Sequence, residues 1–210
     1  MISRPRTLTA LAVAVITACV AARANASSIV SIQSVTVAAG SSANGIDVEL
    51  TNTGPSALSI GGFSFEISIA TLDVSFTGAD TFTTAAYIFG GNSLFGPILA
   101  APASGQSLLV SDIFAIPFSG ATLGAGATVG LGRVLFDVSP FAAGGVFSVS
   151  LTPFPITSLS DELGNDVPID VLSSGQITIS APQPSAVPEP SSLLLLASGI
   201  AVGMRRRHRK

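Results

Sequence analysis

A strand with one buried face repeats its apolar residues at every second position, and this period recurs along most of the 210-residue chain. In the stretch GFSFEISI, Phe63, Phe65, Ile67 and Ile69 share one face, while Ser64, Glu66 and Ser68 share the other. Ile46, Val48 and Leu50 alternate in the same way with Asp47, Glu49 and Thr51, and Leu72, Val74 and Phe76 continue the style. Val134, Phe136 and Val138 alternate with Leu135 and Asp137, and Phe147, Val149 and Leu151 with Ser148 and Ser150. Ile177 and Ile179 close the series. No capped stretch of useful length with apolar residues at helical spacing lies between Ser27 and Ser180.

Turn residues fall between these runs. They include Ala43-Asn44-Gly45, Thr53-Gly54-Pro55, Gly90-Gly91-Asn92, Gly124-Ala125-Gly126, Gly144-Gly145, Gly164-Asn165-Asp166 and Ser173-Ser174-Gly175. Short one-faced strands joined by such turns predict an all-β fold, an antiparallel two-sheet sandwich of about nine strands over residues 27–180. A single lysine and no tryptophan fit strands and turns better than surface helices. Residues 78–107 are the least regular, and a long loop or a helical turn is expected there.

Charge is segregated along the chain. From Ser27 to Pro190 there are twelve acids and one base, Arg133, a formal charge of −11. Such a body repels nucleic acid, so no nucleic-acid partner is expected. The only histidine is His208 and the only cysteine is Cys19. The body therefore cannot build a Ser-His-Asp triad, a Cys-His pair, a lysine Schiff base or a His-ligated zinc site. Carboxylate chemistry remains open to it. Glycosidases use two flanking carboxyl groups, but here the acids fall mostly on the polar phase of strands, and Tyr87 is the only tyrosine. The expectation is that the protein is not an enzyme, and no catalytic residue is assigned.

The densest acidic cluster is Asp161, Glu162, Asn165 and Asp166. It offers hard oxygen ligands for calcium, the one cofactor considered. It lacks the spacing of an EF-hand loop and reads first as an ordinary acidic turn. Arg133, alone among acids, is expected in a salt bridge. Phe63, Phe65, Phe76, Phe136 and Phe147 fall at core phase. Phe82, Phe89, Phe95, Phe114, Phe118, Phe141 and Phe154 lie nearer to loops, where they either close the sandwich ends or form an exposed binding patch.

Both ends read as addresses. Arg4 and Arg6 precede an apolar run from Leu8 to Ala22, and Ala24-Asn25-Ala26 is an A-x-A site. Residues 1–26 are therefore read as a signal peptide handed to the general secretion machinery, with cleavage before Ser27. Ile16-Thr17-Ala18-Cys19 also resembles a lipoprotein box, which would tether the protein through Cys19. At the other end, residues 181–190 form a Pro-rich linker, extended in character. Residues 191–204 form a short apolar stretch, read as a transmembrane helix of about 21 Å. Arg205, Arg206, Arg207, Arg209 and Lys210 place residues 205–210 in the cytoplasm.

The order Val187-Pro188-Glu189-Pro190, apolar run, basic cluster, chain end resembles the PEP-CTERM sorting signal. The resemblance implies recognition by an exosortase, a membrane protease-transpeptidase of Gram-negative bacteria. It also implies a transient inner-membrane stage, removal of the tail, and delivery to the cell surface or the extracellular polysaccharide matrix. A plain C-terminal anchor is the alternative. The body shows a second likeness. Ile46 to Asn52, Ile60 to Ile67 and Leu72 to Phe76, with the closing stretches Asp161–Ile169 and Gly175–Ile179, resemble cohesin-type domains. That family implies a jelly-roll sandwich that binds a partner protein through a sheet face. The expected function is an exported structural or interaction protein of the surface, matrix or biofilm. The alternatives are a cohesin-like module for a protein or glycan, with or without calcium, and a carboxylate-based glycan hydrolase.

Overall fold

The computed structural model describes residues 27–94, 98–100 and 105–181. Both end segments, with the signal and transmembrane helices expected there, lie outside the described residues. In chain order the strands are β1 (Ser28–Ile32), β2 (Val35–Ala38), β3 (Asn44–Asn52), β4 (Leu58–Ile60) and β5 (Gly62–Ile69). They continue with β6 (Val74–Asp80), β7 (Ile98–Ala100), β8 (Ser107–Ile113), β9 (Ala121–Leu123) and β10 (Thr128–Val138). The last are β11 (Gly145–Leu151), β12 (Ser158–Ser160), β13 (Asp166–Val167), β14 (Val171–Ser173) and β15 (Gly175–Ser180).

Two sheets pack face to face. The smaller runs β14-β1-β3-β10-β6. In the larger, β8 pairs along all of β5 on one edge and carries β7 beyond it. The other edge of β5 is shared by β12 at its start and β11 at its end, followed by β15 and β2. The short β4–β9 ladder caps one end.

The described residues hold fifteen strands where about nine are expected, because long paths are broken. β1 runs on into β2 and β14 into β15, each path passing from one sheet to the other. β11 and β12 border the same edge of β5 and are parted by residues 152–157. The sandwich is antiparallel apart from one seam. β1–β14 and β2–β15 are parallel, because the first and last paths run the same way along the sandwich. Ser27 therefore lies at one end and Ala181 at the other. The Ala181 end also carries loops 39–43, 70–73 and 139–144, tied by Gly40 N–H to Ser139 O and Ser139 N–H to Asp73 O.

The expected phases fill the core. Phe63, Phe65, Ile67 and Ile69 from β5 meet Val48, Leu50, Val134 and Phe136 from the facing sheet, all buried. Leu72 departs from its expected core phase and is exposed, because it follows the end of β5 and sits in the turn before β6. Asn52 ends β3 fully buried, donating to the carbonyls of Ser56, Leu123 and Gly124 and accepting Gly54 N–H. One side chain thus ties down two loops. Gly175 opens β15 where the two parallel paths touch. A Cβ there would lie 2.5 Å from Gln33 O and 2.8 Å from Ile32 O, closer than any side chain tolerates.

After β6, residues 81–94 form a loop. It adds one bridge from Tyr87 to Gly130 and another from Ser93 to Phe114.

Candidate functional site

The larger sheet, with the most strands, presents a regular outer face. Alternation turns Phe63, Phe65 and Ile67 inward, so the residues between them must face out. Register then lines up small hydroxyls across three strands. Ser68 stands between Ser107 and Ser150, and Ser64 between Ser111 and Ser158. The Ser68 and Ser150 hydroxyls lie 3.2 Å apart. Glu66 is the one charge among these outward positions on β5, β8, β11 and β12. Short side chains keep the face flat, and each hydroxyl both donates and accepts. Such a surface offers hydrogen bonds and shape rather than charge. Leu109, paired across from Glu66, adds an apolar contact.

Behind this face, at the Ser27 end, lies Asp112. It continues the buried phase of Leu108 and Val110 and is itself fully buried. It is an exception to the acids that fall on the polar phase of strands. Tyr87 Oη and Ser93 Oγ each donate to Asp112 Oδ2 at 2.5 Å, and Ile113 N–H donates to Oδ1 at 2.8 Å. Burial pushes the Tyr87 phenol well above its ordinary pKa and the Asp112 contact adds to this, so it remains a donor. Phe63, Tyr87, Phe89 and Phe114 pack around the cluster with ring centroids 5.7–6.4 Å apart. Phe89 and Phe114 thus close the sandwich end, as one of the two readings expects.

On the smaller sheet, Arg133 and Asp47 are opposite each other in register. Arg133 Nε donates to Asp47 Oδ1 at 2.7 Å and Nη2 to Oδ2 at 3.1 Å, which is the expected salt bridge. Thr84 N–H donates to Oδ2 at 2.8 Å, fixing the segment after β6 over the pair. Asp47, on the polar phase by sequence, is therefore buried. Burial pushes its carboxyl up, but the Arg133 and Thr84 hydrogen bonds outweigh this and hold it below the usual aspartate value. A carboxyl held low in the folded state stabilises the fold above its unfolded pKa, and that contribution is lost as pH falls through the folded pKa. Stability is therefore expected to fall below pH ~4. Arg133→Ala should cost on the order of 2 kcal/mol at neutral pH and flatten the acid dependence, measured as melting temperature against pH. The cost is less than for a fully buried pair because the Arg133 side chain stays 31% exposed.

The acidic turn is closed on itself. Asp161 Oδ1 accepts the N–H groups of Leu163 and Asn165, each at 2.8 Å, and Oδ2 accepts Asn165 Nδ2 at 3.0 Å. The Asn165 contacts hold the Asp161 carboxyl below its ordinary value. Glu162 lies within the turn with one carboxylate oxygen buried, and Asp166 follows it inside β13. Among the described residues no three His, Cys, Asp or Glu side chains gather as a metal site. Beside the turn an apolar groove of about 480 Å³ runs between Phe154 and Pro168, with the Thr157 hydroxyl at its wall. Phe82, Phe118, Phe141 and Phe154 are exposed, each on a separate loop. Phe95, Ala24, Ala26, Val187 to Pro190 and the basic tail lie outside the described residues, whereas Ser27 begins them.

The comparisons with known proteins agree with this picture. Residues 186–210 match the model of the PEP-CTERM protein-sorting motif. No curated protein matches the chain. Among solved structures the chain is similar to a cohesin from Clostridium acetobutylicum, at 16% identity and a TM-score of 0.56, covering 74% of this chain and 92% of that one. It is similar to the sixth cohesin of scaffoldin B from Acetivibrio cellulolyticus, solved with a Cel5 dockerin, at 18% identity and TM-score 0.55, covering 73% and 99%. A chain of a type I cohesin–dockerin complex from Clostridium thermocellum aligns at 13% identity and TM-score 0.55, covering 73% and 99%. The fold is thus an all-β, cohesin-like sandwich, and the chain ends in a PEP-CTERM sorting motif.

Proposed function

We propose that this chain is an exported, non-enzymatic interaction protein of the cell surface or extracellular matrix, sorted and cut by an exosortase. The observation that carries the reading is the sorting motif at residues 186–210, set directly behind a folded sandwich. A signal peptide in front brings the body across the inner membrane. The tail holds it there until Val187 to Pro190 are recognised. Mass spectrometry of protein recovered from the medium of an exosortase-containing host tests this. The expected mature chain starts at Ser27 and ends near Pro190. Intact protein that retains Arg205 to Lys210 would overturn the sorting.

A more specific role for the body rests on the serine rows of the larger sheet. A flat, nearly uncharged face suits a protein or glycan partner met through hydrogen bonds. Cohesin-like modules in solved complexes hold dockerins, which supports a protein partner here. Pull-down from matrix material with the mature body as bait is the direct test.

A further inference from the structure

We infer that the Ala181 end of the sandwich is a membrane-docking face that rests on the bilayer into which the C-terminal tail inserts. The inference depends on the reading that residues 191–204 enter the membrane. Its own observations lie in the folded body. Loops 39–43, 70–73 and 139–144 form this end and carry one charged residue, Asp73. Leu72 and Phe141 stand out from it, 85% and 94% exposed, and Val146 is 60% exposed beside them. Ala70 to Asp73 and Val146 to Ser148 line a shallow depression of about 540 Å³ that Leu72 and Val146 share. Single exposed apolar residues are ordinary on a protein surface, but these three lie at the end where the chain leaves the body. The exit is fixed, since Ala181 packs against Gly144, where a Cβ would meet it at 3.0 Å.

Chain length makes the encounter unavoidable. The nine residues from Pro182 to Pro190 separate Ala181 from the apolar run. Fully extended they span at most about 30 Å. An end held that near a surface meets it at an effective concentration in the millimolar range, so a weak apolar contact suffices. Leu72 and Phe141 are the side chains that would enter the headgroup boundary. The opposite end also exposes Phe118 and Leu163, but the C-terminal tail does not leave the body there. The body's acidity favours a zwitterionic bilayer over an anionic one. Docked this way, the sandwich stands on end. The serine rows face sideways and remain free, and the Pro-Glu-Pro segment is held close to the surface where a membrane enzyme works.

The chain contains no tryptophan, so one introduced residue reports its own surroundings. Leu72→Trp, Phe141→Trp and, away from this end, Phe82→Trp are prepared with the C-terminal tail intact. Each is reconstituted with phosphatidylcholine vesicles, with and without brominated acyl chains. All three positions are exposed, so folding is unaffected. Leu72→Trp and Phe141→Trp are expected to emit to the blue and to lose emission to bromine, while Phe82→Trp does neither. Vesicle flotation is read on the same samples. Protein that floats with all three tryptophans unquenched overturns the docking face and leaves the anchor standing. Protein that does not float overturns the anchor, and the docking with it. A blue shift at Phe141→Trp without bromine quenching places the face against a second copy of the chain and also overturns the proposal.

Discussion

Glu189→Ala combined with Pro188→Ala is expected to leave the chain uncut, membrane-held and absent from the medium. Glu189 is the only charged residue between Asp170 and Arg205, so it is the one electrostatic mark on a stretch of 34 positions otherwise apolar or neutral. The flanking prolines fix their own φ and push the residues before them toward extended backbone. An extended segment with a single carboxylate at a set distance from the apolar run is a simple object for an enzyme cleft to recognise. Removing the carboxylate and one proline removes both cues. The apolar run and the basic end stay, so retention persists after cutting is lost. The two pools are read by immunoblot of membrane and medium fractions from an exosortase-containing host. The motif lies outside the folded body, so the melting temperature of the sandwich should not move. Normal release of the double variant would overturn the role given to Val187 to Pro190. Glu189→Asp, which keeps the charge, should retain more release than the double variant.

Much of the fold was legible because one face of each strand must be dry. Phe63 to Ile69 and Val134 to Val138 occupy the phases that alternation predicts, since a one-residue slip would turn every side chain to the wrong face. Alternation failed where it met features with no period. Leu72 lies beyond the strand end. Leu131 is buried because a bulge between Gly130 and Gly132 shifts the register of β10. Phe89 is in the core although its neighbours read as a turn. Asp47 is outward in phase, and its burial comes from a loop folded over it, which strand patterns do not encode.

The candidate binding surface was less legible than the sorting address. The PEP-CTERM motif is read from contiguous residues, so sequence order alone reveals it. The serine rows are assembled from β5, β8, β11 and β12, and only pairing register brings Ser107, Ser68 and Ser150 side by side. Many isolated serines in a sequence look like ordinary solvated positions. The parallel seam was hidden for a similar reason, since strand direction at long range leaves no local mark. Asp112 did leave one. In the stretch SLLVSDI it stands two residues after Val110 and four after Leu108, on the apolar phase, where a carboxylate requires partners.

Asp112→Ala should therefore be among the most destabilising single changes in the body. The carboxylate accepts from Tyr87 Oη, Ser93 Oγ and Ile113 N–H, and the alanine accepts from none of them. A buried donor left without an acceptor costs about 1–3 kcal/mol. One term opposes this, because the wild-type fold bears the desolvation of a carboxylate. Arg133, the only base from Ser27 to Pro190, is engaged with Asp47, so Asp112 relies on neutral donors. The net expectation is a loss of about 3 kcal/mol, or a melting temperature lower by about 10 °C for a domain of this size. Asp112→Asn keeps an acceptor oxygen and the side-chain shape. The Tyr87 and Ser93 hydroxyls can rotate to accept from its amide, so its cost should be about 1 kcal/mol. Tyr87→Phe removes one donor and leaves the others paired. Once Asp112 is alanine, Tyr87→Phe should cost less than it does alone, because the hydroxyl it deletes is already orphaned. Thermal melting of the two single variants and the double variant measures this coupling. Strict additivity, or an Asp112→Ala protein that melts with its parent, would show that the carboxylate does not hold the Tyr87–Ser93 segment against the sandwich.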